Sequence, residues 1–171
     1  MLRACKSADY RTFLEPEDFP YLGMRIDHDA WYPMATFERF GNAILKFVAN
    51  EELMLVRLWG RRSAVQLATQ QPLLVAANDA VETLNRFRVM RETFFDFSAL
   101  DVLMLHDDEA HIAIRYHMGM PAEEAASHQT MGFFEGLLPL AGADEIAANF
   151  RERSWTGDAR TVLALRWRPA P

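Results

Sequence analysis

Apolar residues in the first half of the chain recur at helical spacing, and those in the second half mostly at period two. After Pro33, which suits a first helical turn because its missing N–H would lack a partner there, Phe37, Phe40, Ile44 and Val48 predict a helix from about Met34 to Ala49. Asn50 fits an N-cap, and Glu51 and Glu52 follow where the helix dipole favours negative charge. Leu53, Val56 and Gly60 then mark one face of a second helix, running past Trp59 to about Gln70 before Pro72 stops it. Asp79 and Glu82 have the spacing of a capping box in front of Val81, Leu84 and Phe87, which predicts a third helix from Asp79 to about Arg91.

Beyond it the period changes. Leu100, Val102 and Met104 alternate with their neighbours, Asp107-Asp108-Glu109 interrupts, and Ile112, Ile114 and Tyr116 alternate again, so a β-hairpin is expected, ended by Gly119 and Pro121. Ser127 to about Leu138 is apolar nearly all round, as a helix buried on several sides must be. Gly132 and Gly136 sit on one face of it and allow another backbone close, Pro139 kinks or ends it, and Gly142 suits a left-handed cap. A second hairpin follows: Ile146, Ala148 and Phe150, a turn from Ser154 to Asp158, then Thr161, Leu163, Leu165 and Trp167. Hairpins beside clustered helices, without strict alternation, predict an α+β fold with helices packed on one side of an antiparallel sheet.

The N-terminal stretch is less regular. Residues 1–20 hold Pro16, Pro20 and four acids without a period and read as an irregular arm preceding a single domain over 21–171. Leu22, Met24 and Ile26 suggest a short strand from Tyr21 to Ile26, closed by the turn Asp27-His28-Asp29.

Composition narrows the function classes. With 171 residues, 50% hydrophobic and 25% charged, the chain can bury a sizeable core without staples. The single cysteine, Cys5, gives no disulfide framework, and no apolar run reaches the length of a signal peptide or a membrane span. A cytoplasmic protein without membrane insertion is expected. A net charge of −6 disfavours nucleic acid, which needs a concentrated positive face. Arg57, Arg61 and Arg62, and Arg86, Arg88 and Arg91, are the local exceptions, readable as salt-bridged faces or as an anion or partner site.

Catalytic chemistry has no signature here. No nucleophile elbow and no phosphate-cradling glycine loop occurs. His106, Asp107, Asp108, Glu109 and His111 offer metal-ligand types, but an exposed turn selects the same residues. Glu51 with Glu52, and Glu123 with Glu124, are adjacent, point in different directions on a helix, and read as surface. Ser63, Ser98, Ser127 and Ser154 have no special context. Trp59, Phe87, Tyr116 and Phe134 are the residues that would line an apolar cavity, or equally fill a core.

In order and spacing, Tyr32-Pro33-Met34, Leu58-Trp59-Gly60-Arg61, Ile114-Arg115-Tyr116-His117, Met131-Gly132-Phe133-Phe134-Glu135-Gly136 and the strand from Arg160 to Trp167 resemble the haem nitric-oxide/oxygen-binding (H-NOX) superfamily over about Trp31 to Trp167. The resemblance implies an α/β fold around an apolar cavity, in a superfamily of gas sensors, vinyl-reductase-like ligand-binding domains and vesicle-tethering subunits. Its haem-binding members anchor propionates with Tyr-x-Ser-x-Arg, where this chain has Tyr116-His117-Met118-Gly119-Met120. Met118 and Met120 thus replace the hydroxyl donor and the guanidinium. Those members also ligate iron through a histidine on the helix before the hairpin, and 79–91 contains none.

What the resemblance implies is therefore a bacterial relative without haem or other cofactor. It would be a non-catalytic sensor, adaptor or regulatory module that binds a small apolar ligand or a protein partner, with self-association through edge strands allowed. The competing readings are a haem-based gas sensor, the effector-binding domain of a transcription regulator, and an enzyme of unrecognised type.

Overall fold

A computed structural model describes residues 9–25, 27 and 30–169. The helices are α1 (Phe19–Gly23), α2 (Met34–Phe47), α3 (Leu53–Gln70), α4 (Ala80–Met90) and α5 (Ala122–Leu140). The strands are β1 (Leu100–Leu105), β2 (Glu109–Ile114), β3 (Asp144–Glu152) and β4 (Thr161–Arg168), in the order β1-β2-β4-β3 with every pair antiparallel. The α+β architecture expected from the change of period is the one observed. Among the described residues no helix is long and apolar enough to cross a membrane.

The sheet is amphipathic, as alternation demands. Ile112 pairs with Leu163 and Ala110 with Leu165, so these side chains share the face that meets α4 and α5, where Leu84, Phe87, Phe134, Leu137 and Leu138 complete the core. The opposite face carries ion pairs. Glu109 receives His111, Arg166 and Arg151 at 3.1, 3.2 and 3.4 Å, and Asp101 receives Arg91 and Arg115 at 3.1 and 2.5 Å.

Helices α3 and α5 are in unusually close contact because three glycines let their backbones touch. A Cβ on Gly60 would overlap the Gln129 carbonyl oxygen, one on Gly132 the Arg57 carbonyl oxygen, and one on Gly136 would lie 2.6 Å from that of Arg61. Glu135, only 7% exposed, locks the pair: it accepts from Arg57 Nε at 2.7 Å and from Arg61 Nη2 at 3.0 Å. Burial works to raise the Glu135 pKa, and the two arginines overcome it, holding the carboxyl below its usual range. The salt-bridged reading of Arg57 and Arg61 is the observed one.

Several boundaries differ from the sequence reading, each for a local reason. Among the described residues of the expected strand Tyr21–Ile26, none is in a strand. Glu15 and Asp18 make a capping box and Pro20 occupies the first turn, so the chain enters helix α1, and Tyr21 stacks edge-on against Tyr32 at 5.6 Å. Ile26, His28, Asp29 and Cys5 lie outside the described residues. Asn50 is not an N-cap: Asn50 and Glu51 have φ of 51° and 64°, a left-handed pair that closes α2 through Glu51 N–H to Leu45 O at 2.9 Å, and Glu52 precedes α3. The alternating strand β2 stops at Ile114, although Arg115 N–H still donates to Ala99 O at 2.8 Å. Helix α5 begins at Ala122 rather than Ser127, with Glu123 and Glu124 in its first turn where the dipole favours them. Pro139 is accommodated in the last turn and Gly142 takes the left-handed cap with φ 79°.

The glycine contact makes a paired prediction. Gly132→Ala should destabilise the protein by about 3 kcal/mol, since neither backbone can retreat from the added methyl. Gly41→Ala, on α2 where a Cβ meets nothing, should stabilise it by up to about 1 kcal/mol. Urea denaturation midpoints at unchanged slope measure both.

Candidate functional site

Helix α2 packs mainly against α5 and the N-terminal turn at Tyr10–Phe13, Leu45 near its end joins Val56 of α3 in a buried cluster, and a cleft remains between the rest of α2 and the α3–α5 pair. The cleft has two parts. One, of about 370 Å³, reaches inward to Leu67, Phe87, Phe94, Leu100 and Tyr116. The other, of about 560 Å³, runs along α2 past Phe40, Ile44 and Leu45 to Val56 and Trp59. Phe37, Ser63, Gln66, Ala126 and Gln129 line both parts, which therefore adjoin. These volumes suit a small-molecule ligand, for which about 300–1,000 Å³ is usual.

The polar groups at the inner end are already satisfied. Tyr116 and Thr130 hydroxyls lie 2.5 Å apart, and Thr130 passes its own proton to the Ala126 carbonyl at 3.0 Å. Burial pushes the Tyr116 phenol up to about 12, so it stays protonated. Nothing there asks a ligand for a hydrogen bond, and the wall facing it is aromatic. Phe87 packs against Phe133, Phe134 and Phe94 with ring centres 5.5, 5.0 and 6.4 Å away.

Two contacts fix α2 over the cleft. Glu38 Oε1 accepts from Gly119 N–H at 2.9 Å, tying α2 to the segment that leads into α5. Asp18, fully buried, accepts from Arg39 Nε at 2.6 Å and Nη2 at 2.9 Å, and Glu17 accepts from the same guanidinium at 2.9 Å. The hydrogen bonds from Arg39 hold the Asp18 carboxyl down from 3.8 to about 2. Residues 9–18, expected as an irregular arm, include 3₁₀ turns at Tyr10–Phe13 and Pro16–Asp18, and the second delivers this carboxylate to α2.

Of the four residues singled out from sequence, Phe87 and Tyr116 line the inner part and Trp59 the outer. Phe134 lines neither part and is fully buried core behind Phe87. Phe37, Ser63, Gln66 and Gln129 were missed, because polar residues on a helix read as solvated until a second helix stands off above them. Glu123 corrects the surface reading of the Glu123–Glu124 pair: only 6% exposed, it accepts from Met118 N–H at 3.0 Å and Ser154 Oγ at 3.2 Å. Ser154 also meets Thr161 Oγ1 at 2.9 Å, so it has a defined polar context. A separate cleft of about 210 Å³ opens above this network, with His117 and Met118 at its edge. His111 is paired with Glu109, and among the described residues no three of His, Cys, Asp and Glu converge as metal ligands.

No family model matches the sequence, and no curated protein matches it. Solved structures do. An H-NOX protein from S. oneidensis in its Fe(II)NO state has a TM-score of 0.62 at 8% identity, covering 89% of each chain. An H-NOX structure solved to probe heme distortion in that family has a TM-score of 0.61 at 13% identity, covering 91% of this chain and 85% of the other. The fold is that of the H-NOX domains. A trafficking protein particle complex subunit 3 from Naegleria fowleri, covalently bound to palmitic acid, is also similar, with a TM-score of 0.53 at 11% identity over 78% of this chain and 94% of the other.

The residues present do not fit a haem. Helix α4 offers the cleft Phe87 and carries no histidine, and among the described residues no His or Cys lines either part. The one phenol, Tyr116, is protonated and engaged with Thr130, and Arg62 is the only cation to meet two propionates. His117 sits at the other cleft beside Phe97, 6.3 Å between ring centres.

The Asp18 latch titrates with a definite sign. Because its folded-state pKa lies below 3.8, its contribution is complete above about pH 4 and is lost as pH falls towards 2. Asp18→Asn should cost about 2 kcal/mol at neutral pH. Its loss of stability between pH 4 and 2 should be shallower than that of the parent, as denaturant titrations at each pH will show.

Proposed function

We propose that this chain is a non-catalytic binding module and that the cleft beneath α2 takes a small apolar ligand. The observation carrying this is the deepest end of the cleft: an aromatic wall around Phe87 where the hydroxyls of Tyr116 and Thr130 are bonded to each other. An end of that kind gains by expelling water, and its paired hydroxyls do not reject a hydrocarbon. No nucleophile with an oriented base faces it, so sensing, carriage or regulation fits better than turnover. The Naegleria fowleri subunit, with palmitic acid in a similar fold, supports the capacity of this architecture for an apolar chain. The haem-sensor reading would need an axial ligand that the cleft does not supply.

N-phenyl-1-naphthylamine, a neutral probe that brightens in apolar surroundings, should bind the purified protein saturably. Ser63→Trp places an indole in the stretch shared by both parts of the cleft, from a position where the native hydroxyl bonds only the Trp59 carbonyl. That variant should keep its fold by circular dichroism and weaken probe binding at least tenfold. Unchanged binding would remove the cleft from consideration.

A further inference from the structure

The charges around the cleft narrow its ligand further. The chain has 24 Asp and Glu against 18 Lys and Arg, yet among the described residues no carboxylate lines either part. Arg62 is the one charged lining residue. Its neighbours Arg57 and Arg61 are both spent on Glu135, whereas Arg62 has no carboxylate partner among the described residues. Gln66, one turn further along α3, and Gln129, across on α5, present amides that are likewise without partners there. From this unpaired polar rim the cleft passes under Phe37 to the apolar end at Phe87 and Leu100.

We infer that the ligand is a long-chain carboxylate, its hydrocarbon threaded under α2 towards Phe87 and its headgroup at Arg62, Gln66 and Gln129. This rests on the binding reading above and adds head and length to it. The inner part, running from Gln66 and Gln129 to Phe87 and Leu100, suits an elongated molecule. One guanidinium flanked by neutral amides matches a single negative charge, where a phosphate dianion would demand more cations. The absence of acids from the lining of a net-negative protein removes the repulsion an anion would otherwise meet.

Displacement of bound N-phenyl-1-naphthylamine by dodecanoate and by dodecanol at pH 8 separates the two claims. The acid should displace the probe at about fivefold lower concentration than the alcohol. Arg62→Gln should erase that preference, so that acid and alcohol displace the probe at equal concentrations, and Arg62→Lys should keep part of it. Arg62 is exposed and unpaired, so thermal melts of both variants should overlay the parent. Equal displacement by acid and alcohol in the parent, or a preference that survives Arg62→Gln, overturns the carboxylate assignment and leaves the apolar-ligand reading standing. Failure of the probe to bind at all overturns both.

Discussion

The backbone contact between α3 and α5 is the constraint on which the molecule depends. Gly60, Gly132 and Gly136 bring two long helices together with no side chains between their axes at those points, and Glu135 clamps them from one side through Arg57 and Arg61. Each glycine in a helix interior costs about 1 kcal/mol relative to alanine, which only close packing can offset. Helices this close leave no groove between themselves for a ligand. Any ligand space must lie on the outside of the pair, under whatever third element crosses it.

That third element is α2, seated by apolar packing of Leu45 with Val56 and Ala125 towards its C-terminal end and by polar bonds towards its N-terminal end. The Arg39–Asp18 bridge and the Glu38–Gly119 hydrogen bond position it from its N-terminal half. Its middle spans open space bounded by Phe37, Phe40 and Ile44. A helix packed by apolar interdigitation would close the gap, because interiors fill to crystal-like density. One held by directional bonds at its edges can remain over a cleft whose walls are hydrophobic. The polar bonds that place its N-terminal half run to the segment before α5 and to the turn before α1.

Much of this was legible in the sequence where one residue type satisfied a local rule. Gly132 and Gly136 announced a close approach, Asp79 and Glu82 the start of α4, and Gly142 the end of α5, where the bonds are short-range. The partner of the glycine face was not legible, since Gly60 and the Arg57 carbonyl belong to a distant segment. Competing local rules account for the errors: Leu22 and Met24 alternate like a strand, but a proline in a first turn and a capping box outweigh three apolar residues. The reasoning about Glu123 and Glu124 was right in its premise and wrong in its end. Adjacent helical residues diverge, so one of the two had to face inward, and Glu123 does so because Met118 N–H and Ser154 Oγ meet it there. At the cleft, aromatic residues drew notice and amides did not.

Fold similarity to haem proteins therefore needs to be weighed residue by residue. The helix that would carry an iron ligand, α4, places Phe87 at the cleft, and its ring belongs to a cluster with Phe133 and Phe134. Substituting a ligand such as histidine for Phe87 would have to break that cluster and bury an imidazole against Phe134, which has no polar atom to receive its second nitrogen. The segment after Tyr116, where propionates would need cations, instead turns Met118 towards the outer part and lends its N–H to Glu123. Both changes have one physical sense: the positions that would hold iron and propionates carry apolar side chains, Phe87 inside the cleft and Met118 at its outer part.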